Sequence, residues 1–409
     1  MSPRLCSPPA DLPPDDLLLK VFLRLPPEPG HLLAASLVCK RWCRLIRNAA
    51  FLRRFRTFYR TPPVLGFFQN IGLPTGPPSQ GICFFPTATP SARLFPPQDF
   101  QNRVSWVMDC HHGRALLYNH DERELLVWDP MTGGTNYVSA PENISGQEEF
   151  TGALVCAGQP DDHTNRHLSP FQIVFLDNSM DDECVIYACV YSSETDEWSD
   201  WKAVTTPALV SSGSSALVGN SLYWTLDLGV SNHILEFELH AQEFHLIKLP
   251  KCVRKRYKSG IQVMPAEDGG IGFAGVNKAR IDFWSRKADH EGVARWTLIR
   301  AVNMVKLTLS DSPAQDMLLR SSVVGFAEDS SVLFLHSETI IVMIDLKSMQ
   351  LRRKALQTSG TTVYPYASFY TRGADIVGID VRDVRYGIKY QRKNKKKQEA
   401  APVETVAPE

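Results

Sequence analysis

The chain lacks any Cys-x-x-Cys pair, any apolar run of membrane-spanning length and any excess of one charge. Its nine cysteines are odd in number and irregular in spacing. That argues against a disulfide framework or a zinc knuckle, and it fits reduced thiols. No stretch of about 18 apolar residues occurs, and the start, MSPRLCSPPADLPP, has no apolar core of the signal-peptide kind. The sequence therefore reads as a soluble intracellular protein. Lys+Arg and Asp+Glu both total 44, so the whole chain has no bulk field to gather nucleic acid or an acidic membrane, and neither is expected as a partner. GxSxG, HExxH, P-loop and dinucleotide fingerprints are also missing. No catalytic residue, metal or cofactor is expected.

What is present is unevenly spread. At 409 residues the chain exceeds what one hydrophobic core serves, so it should form at least two domains or one large repetitive one. Seventeen of its 28 prolines fall within residues 1–97. They mark out a helical head, a Pro/Gly-rich connection and a long proline-poor body.

In the head, Asp15 and Asp16 lead into LLLKVFLRL, and Pro26, Pro27 and Gly30 stop it. Leu17, Leu18, Val21, Phe22 and Leu25 share a stripe, but Leu19 and Leu23 lie off it, so the helix is apolar nearly all round. A module this small cannot bury every face against itself, which leaves either an outside partner or the body to cover the second face. Further on, SLVCKRWCRLIRN wound as one helix places Val38, Cys39, Trp42, Leu45 and Ile46 opposite Lys40, Arg41, Arg44 and Arg47. Cys39 reads as a small buried hydrophobe. The basic arc continues to Arg53, Arg54, Arg56 and Arg60, giving eleven Lys+Arg against four Asp+Glu in residues 1–60. With no stacking aromatic placed among these charges, a solvated face is expected.

Leu12, Pro13, Leu17, Val21, Arg24, Leu25, Pro26, Val38, Cys39, Lys40, Trp42, Leu45, Ile46 and Phe51, in that order, resemble an F-box of the kind found in the large grass families. The resemblance covers residues 11–55 or so. It implies a small helical module that docks on the Skp-type adaptor of an SCF (cullin-RING) ubiquitin ligase. By that resemblance the adaptor-binding side chains are Leu12, Pro13, Leu17, Val21, Leu25, Pro26, Val38, Trp42 and Leu45, with Trp42 as aromatic anchor. Two departures are an extra proline, Pro14, and EPGH inserted between the first and second helices.

The body reads as short strands, including RALLYN, ELLVWD, CVIYACVY, SLYWTL, HILEFEL, RIDFWS and TIIVMIDL, with no long amphipathic helix between them. A repeat underlies them. Aligning Trp128, Tyr191, Phe237, Trp284 and Ile344 gives spacings of 63, 46, 47 and 60. A period near 50 with about four strands per unit points to propeller blades. A sixth blade can be assembled from VLGFF, GICFFP and the late TVYPYASFY, chain end meeting chain start so that the ring has no exposed edge. F-box proteins commonly carry Kelch-like or F-box-associated propellers. The paired glycines of a true Kelch motif are missing, and two stacked β-sandwiches are the alternative.

CHHG at 110–113 and HTNRH at 163–167 are the only histidine clusters, and neither has carboxylate or cysteine company at ligand spacing. DNSMDDE, 177–183, lacks the glycine of a calcium loop and reads as a solvated hairpin turn. Trp198, Trp201, Tyr223, Trp224, Phe283, Trp284 and Trp296 are mostly expected in the core between blades. The tail carries Arg392, Lys393, Lys395, Lys396 and Lys397 before an Ala/Pro/Glu-rich end, and reads as a disordered segment able to serve as a nuclear import signal.

The expected organisation is a disordered start (1–10), an all-α F-box head (11–60), a Pro/Gly-rich connection contributing strands (61–103), an all-β propeller of about six four-stranded blades (104–383) and a disordered basic then acidic tail (384–409). The expected function is that of the substrate-recognition subunit of an SCF ligase in the nucleus or cytoplasm. It would hold the Skp-type adaptor and, through it, a cullin, and would carry a protein target of unknown identity. The alternative is a propeller enzyme or small-ligand binder with an adaptor-binding head.

Overall fold

The computed structural model describes residues 13–71, 81–87, 100, 105–144, 150–156, 170–180, 183–211, 213–227, 229–257, 260–288, 293–307, 321–337, 340–355 and 362–369. A four-helix head precedes a six-bladed β-propeller.

The head comprises α1 (Asp15–Phe22), α2 (Pro29–Ser36), α3 (Lys40–Ile46) and α4 (Ala49–Tyr59). Local chemistry marks the starts of α1 and α4. Asp15 and Asp16 lie in the first turn of α1, where the helix dipole favours negative charge. The side chain of Asn48 accepts from the amides of Ala50 and Phe51 at 2.8 and 3.4 Å, capping α4. Leu18, Phe22, Leu32, Ile46, Phe51, Leu52 and Phe55 form the core of the head, and Phe369 from the far end of the chain joins them.

Four expectations about the head are corrected. Ser36–Asn48 is not one helix: α2 ends at Ser36 and the chain turns through Leu37 and Val38. Cys39 is extended (φ −161°, ψ 164°) just before α3, and this outlying position leaves it exposed rather than buried. EPGH is not a lengthened connection. Glu28 precedes α2 and Pro29 sits at its first position, where the missing N–H costs nothing and the fixed φ suits the helix. The basic arc is solvated at Lys40, Arg44, Arg53, Arg54 and Arg60, but Arg56 is buried at 7% exposure.

The first blade is β3 (Ser105–His111), β4 (Arg114–Asn119), β5 (Glu124–Trp128) and β6 (Thr135–Ser139). The second is β7 (Phe150–Cys156), β8 (Phe171–Met180) and β9 (Cys184–Ser192), with β10 (Glu197–Trp198) and β11 (Lys202–Thr205) sharing its outer edge. The third is β12 (Ala216–Val218), β13 (Ser221–Thr225), β14 (His233–Glu238) and β15 (Glu243–Lys248), followed by a one-turn helix, α5 (Val253–Arg256). The fourth is β16 (Ile261–Pro265), β17 (Ile271–Asn277), β18 (Arg280–Ala288) and β19 (Ala294–Asn303). The fifth is β20 (Ser322–Ala327), β21 (Val332–Ser337), β22 (Ile340–Asp345) and β23 (Leu351–Ala355). The sixth joins β24 (Tyr364–Ala367) to β1 (Val64–Ile71) and β2 (Gly81–Pro86).

All pairings are antiparallel, and the first strand of each blade is the innermost. β24 lies against both β20 and β3, which closes the ring with strands from the two ends of the chain. The repeat read from the sequence falls on one structural position. Trp128, Tyr191, Phe237, Trp284 and Ile344 all lie on third strands, paired to Ala115, Ile173, Leu222, Phe273 and Leu333 of the second strands.

Blades are joined by apolar clusters and by a recurring tryptophan latch. Trp198 Nε1 of the second blade donates to the Ser139 carbonyl of the first at 3.0 Å, and Trp296 Nε1 of the fourth to the Lys248 carbonyl of the third at 2.9 Å. Trp224, Tyr223 and Phe283 are buried, while Trp198, Trp201, Trp284 and Trp296 are half-buried against the inter-blade clusters.

Antiparallel alternation gives the ring two unlike sides. The innermost strands all finish on one side, and there Ser330, just after β20, donates its hydroxyl to the Pro62 carbonyl at 2.6 Å. The amide of Ser368, just after β24, donates to the Pro63 carbonyl at 3.2 Å. This is the head side of the ring. The opposite side carries the turns between second and third strands and the connections between blades.

Candidate functional site

The α1 stripe divides on folding. Leu18 and Phe22 enter the head core, whereas Leu17 and Val21, one turn apart, remain 50% and 57% exposed. At the α2–α3 turn, Leu37 and Val38 are 68% and 62% exposed. The two features are held together: Arg41 Nε donates to Asp15 Oδ1 at 2.7 Å and Arg41 Nη2 to the Pro13 carbonyl at 2.8 Å, tying the start of α3 to the start of α1. Four large aliphatic side chains on so small a module are thus left open to solvent.

The other predicted adaptor residues divide differently. Pro13 and Pro26 are exposed. Leu25, Trp42 and Leu45 are half-buried against the head core, with Trp42 packed edge-on to Phe22 at 5.0 Å between ring centroids. Leu12 lies outside the described residues, as do Arg392, Lys393, Lys395, Lys396 and Lys397. Sequence reading missed Leu37, because its position in a turn was hidden when the segment was wound as one helix. At the other end of the head, Tyr59 Oη donates to the Leu25 carbonyl at 2.6 Å, and burial and the charge of Glu28 hold its pKa above the ordinary tyrosine value.

The ring axis holds a second candidate. A small cavity of about 40 Å³, open to solvent on the head side, is lined by residues of five blades, among them Asp109, His111, His112, Gln262, Glu328 and Asp329. CHHG is placed here: Cys110 and His111 end β3, and His112 and Gly113 turn the hairpin with φ of 49° and 74°, a left-handed pair that glycine makes accessible. His111 Nδ1 stands 3.9 Å from Glu328 Oε2, and His112 Nδ1 3.6 Å from Asp329 Oδ1, so the hairpins of the first and fifth blades face each other across the sixth. Carboxylate company that sequence spacing did not reveal therefore comes from the fifth blade.

Asp109 is 4% exposed and accepts from the amides of Cys110 and Leu154, each at 2.8 Å, bridging the first and second blades. Burial nonetheless pushes its pKa up to about 7. Burial, aided by Asp329 and Asp109, pushes Glu328 up to about 8. Burial also raises the Cys110 thiol well above its ordinary value, which makes it a poor nucleophile. Among the described residues no group of three His, Cys, Asp or Glu stands close enough to hold a metal ion.

HTNRH lies outside the described residues. DNSMDDE is not simply a solvated turn: Asp177, Asn178 and Ser179 belong to β8 and are buried, because the second blade's connection to the third covers them and the Val210 amide donates to Asn178 Oδ1 at 3.3 Å.

Comparison with known proteins agrees with this architecture. Residues 11–57 match the F-box-like family, and residues 106–368 match the family described as F-box protein AT5G49610-like, beta-propeller. A protein named as an F-box protein, At3g22421 of Arabidopsis thaliana, is 22% identical over 328 residues, covering 71% of this chain and 70% of the relative. Among solved structures, a protein of unknown function from Desulfotomaculum acetoxidans is 14% identical with a TM-score of 0.36, over 70% of this chain and 80% of its own. The extracellular domain of BT4673 from B. thetaiotaomicron is 12% identical with a TM-score of 0.33, over 63% of this chain and 28% of its own. With a helical head, a closed six-bladed ring and both segments matched to families in order, the chain belongs to the F-box proteins with an AT5G49610-like β-propeller.

Proposed function

We propose that the chain is the substrate-recognition subunit of an SCF (cullin-RING) ubiquitin ligase, holding the Skp-type adaptor with its head and a protein target with its ring. The observation that carries this reading is the exposure of Leu17, Val21, Leu37 and Val38 on an F-box head whose other large apolar side chains, Phe58 of α4 apart, pack on its core. Its contribution to ubiquitin transfer is proximity: the receptor raises the effective concentration of target lysines near the charged carrier and supplies no nucleophile of its own. The basic run Arg392–Lys397 in the sequence fits work in the nucleus or cytoplasm. The test is reconstitution of the receptor with adaptor, cullin and RING subunit. Ubiquitin chains formed on the receptor itself, and lost with a Leu12→Ala, Pro13→Ala variant, support the reading. A folded receptor left unmodified and unbound contradicts it.

The reading as a small-ligand-binding ring has one observation in its favour, the axial cavity with Asp109 and Glu328. Fragment screening by ligand-observed NMR tests it. Hits abolished by Glu328→Gln support it, and no hits count against it.

A further inference from the structure

The side of the ring opposite the head is strongly polarised. Over the fourth blade, α5 and the residues before it present Lys251, Arg254 and Lys255 to solvent, and the β17–β18 turn adds Lys278. Behind them Arg256 Nη2 and Arg280 Nε converge on the fully buried carboxylate of Asp282 at 2.9 and 2.8 Å. Two guanidinium groups against one buried carboxylate leave a net positive base beneath the exposed cations. Arg256 also keeps a buried Nε without a hydrogen-bond partner.

The neighbouring turn of the third blade belongs to the same surface. Arg254 Nη2 donates to the Gly229 carbonyl at 2.6 Å, and Asn232 Nδ2 donates to the Leu249 carbonyl at 2.7 Å. Next to the Arg254 contact stands Val230, 64% exposed. In the described parts of these three segments, six cations face two carboxylates: Asp282, already neutralised, and Asp227, whose Oδ1 accepts from the Gly229 amide at 2.8 Å. The corresponding turn of the first blade carries Asp121, Glu122 and Glu124 with one arginine, Arg123. A chain balanced at 44 charges of each sign has thus gathered positive charge on one sector of the side away from its head.

We propose that this sector, Lys251, Arg254, Lys255 and Lys278 around Val230, is a docking surface for an acidic segment of the target carrying an apolar residue among its carboxylates. Charge complementarity selects the partner's sign, Val230 supplies the apolar contact, and the ordered Asp282 network beneath preorganises the base of the patch. The proposal rests on the ring being the target-holding part. It adds that the target approaches the side the head leaves open.

The test uses the full chain bound to its adaptor and a fluorescein-labelled peptide of alternating Glu and Leu, read by fluorescence anisotropy. The expected result is binding that weakens as ionic strength rises past about 0.15 M, no binding of the matching Lys/Leu peptide, and at least a tenfold loss in a Lys251→Glu, Arg254→Glu, Lys255→Glu variant. Because Arg254 also bonds to Gly229, a Lys251→Glu, Lys255→Glu variant that leaves that contact intact should show most of the same loss with an unchanged unfolding temperature. No binding of the Glu/Leu peptide, binding by the triple variant as tight as the parent's, or tighter binding of a labelled single-stranded oligonucleotide overturns the proposal. Capture of the adaptor by the same samples separates this failure from failure of the receptor reading, since none of these residues lies in the head.

Discussion

The ring of Phe369 stands 6.4 Å from that of Phe55, edge-on at 82°, although 314 positions separate the two residues in the chain. Phe55 lies on the last helix of the head, and Phe369 follows the strand that closes the propeller. Four helices of seven to eleven residues make a marginal core by themselves, so a buried aromatic delivered from the ring is a substantial part of it. Replacing Phe369 with Ala should remove about 3–5 kcal/mol from the head. Hydrogen exchange should then show faster exchange at α4 amides with unchanged protection in β4, β8 and β21. Equal protection of α4 in variant and parent would mean that the head stands alone.

Tyr257 Oη donates to Asp282 Oδ2 at 2.8 Å and accepts from Trp284 Nε1 at the same distance. The half-buried indole of Trp284 has its hydrogen bond here, and the buried carboxylate of Asp282 would lose one of its donors while keeping Arg256 and Arg280. Tyr257→Phe should therefore cost about 1–3 kcal/mol through unmet hydrogen bonds rather than lost volume. Denaturant unfolding should give a lower midpoint with an unchanged slope, and a variant as stable as the parent would count against the network.

The axial carboxylates give the ring a direction of pH dependence. Asp109, raised to about 7, binds its proton more tightly folded than unfolded. The folded state therefore holds more protons between about pH 4 and 7, and stability is present at the acidic end of that window and lost as pH rises through 7. Glu328, raised to about 8, acts in the same sense, but its side chain is 32% exposed and solvent weakens its share. Asp109→Asn should flatten the fall in unfolding temperature from pH 5 to 8, and an unaltered slope would show that Asp109 does not carry it.

Much of this architecture was legible because it is periodic. Trp128, Tyr191, Phe237, Trp284 and Ile344 recur where third strands must face a neighbouring blade, and VLGFF, GICFFP and TVYPYASFY could be joined because a closed ring needs them. What was hidden depends on local backbone or on distant contacts. Val38 and Trp42 keep helical spacing across a turn whose extended Cys39 breaks the helix without altering the pattern. Asp177 and Asn178 look like loop residues until another connection covers them. The axial cluster is assembled from hairpins more than 200 positions apart, His111 against Glu328, and no spacing rule reaches that far. Phe369 was read with TVYPYASFY as part of the sixth blade, but it packs in the head core, a different domain from its neighbours in sequence.

The most direct test of the central claim is calorimetric titration of purified Skp-type adaptor into the intact chain and into a Val21→Lys, Val38→Lys variant. Both side chains are more than half exposed, at 57% and 62%, so the variant should fold and melt like its parent. The account predicts one adaptor bound per parent chain and affinity at least tenfold weaker in the variant, a loss of about 1.4 kcal/mol or more. A folded parent that binds no adaptor, or a variant that binds it equally well, would contradict it.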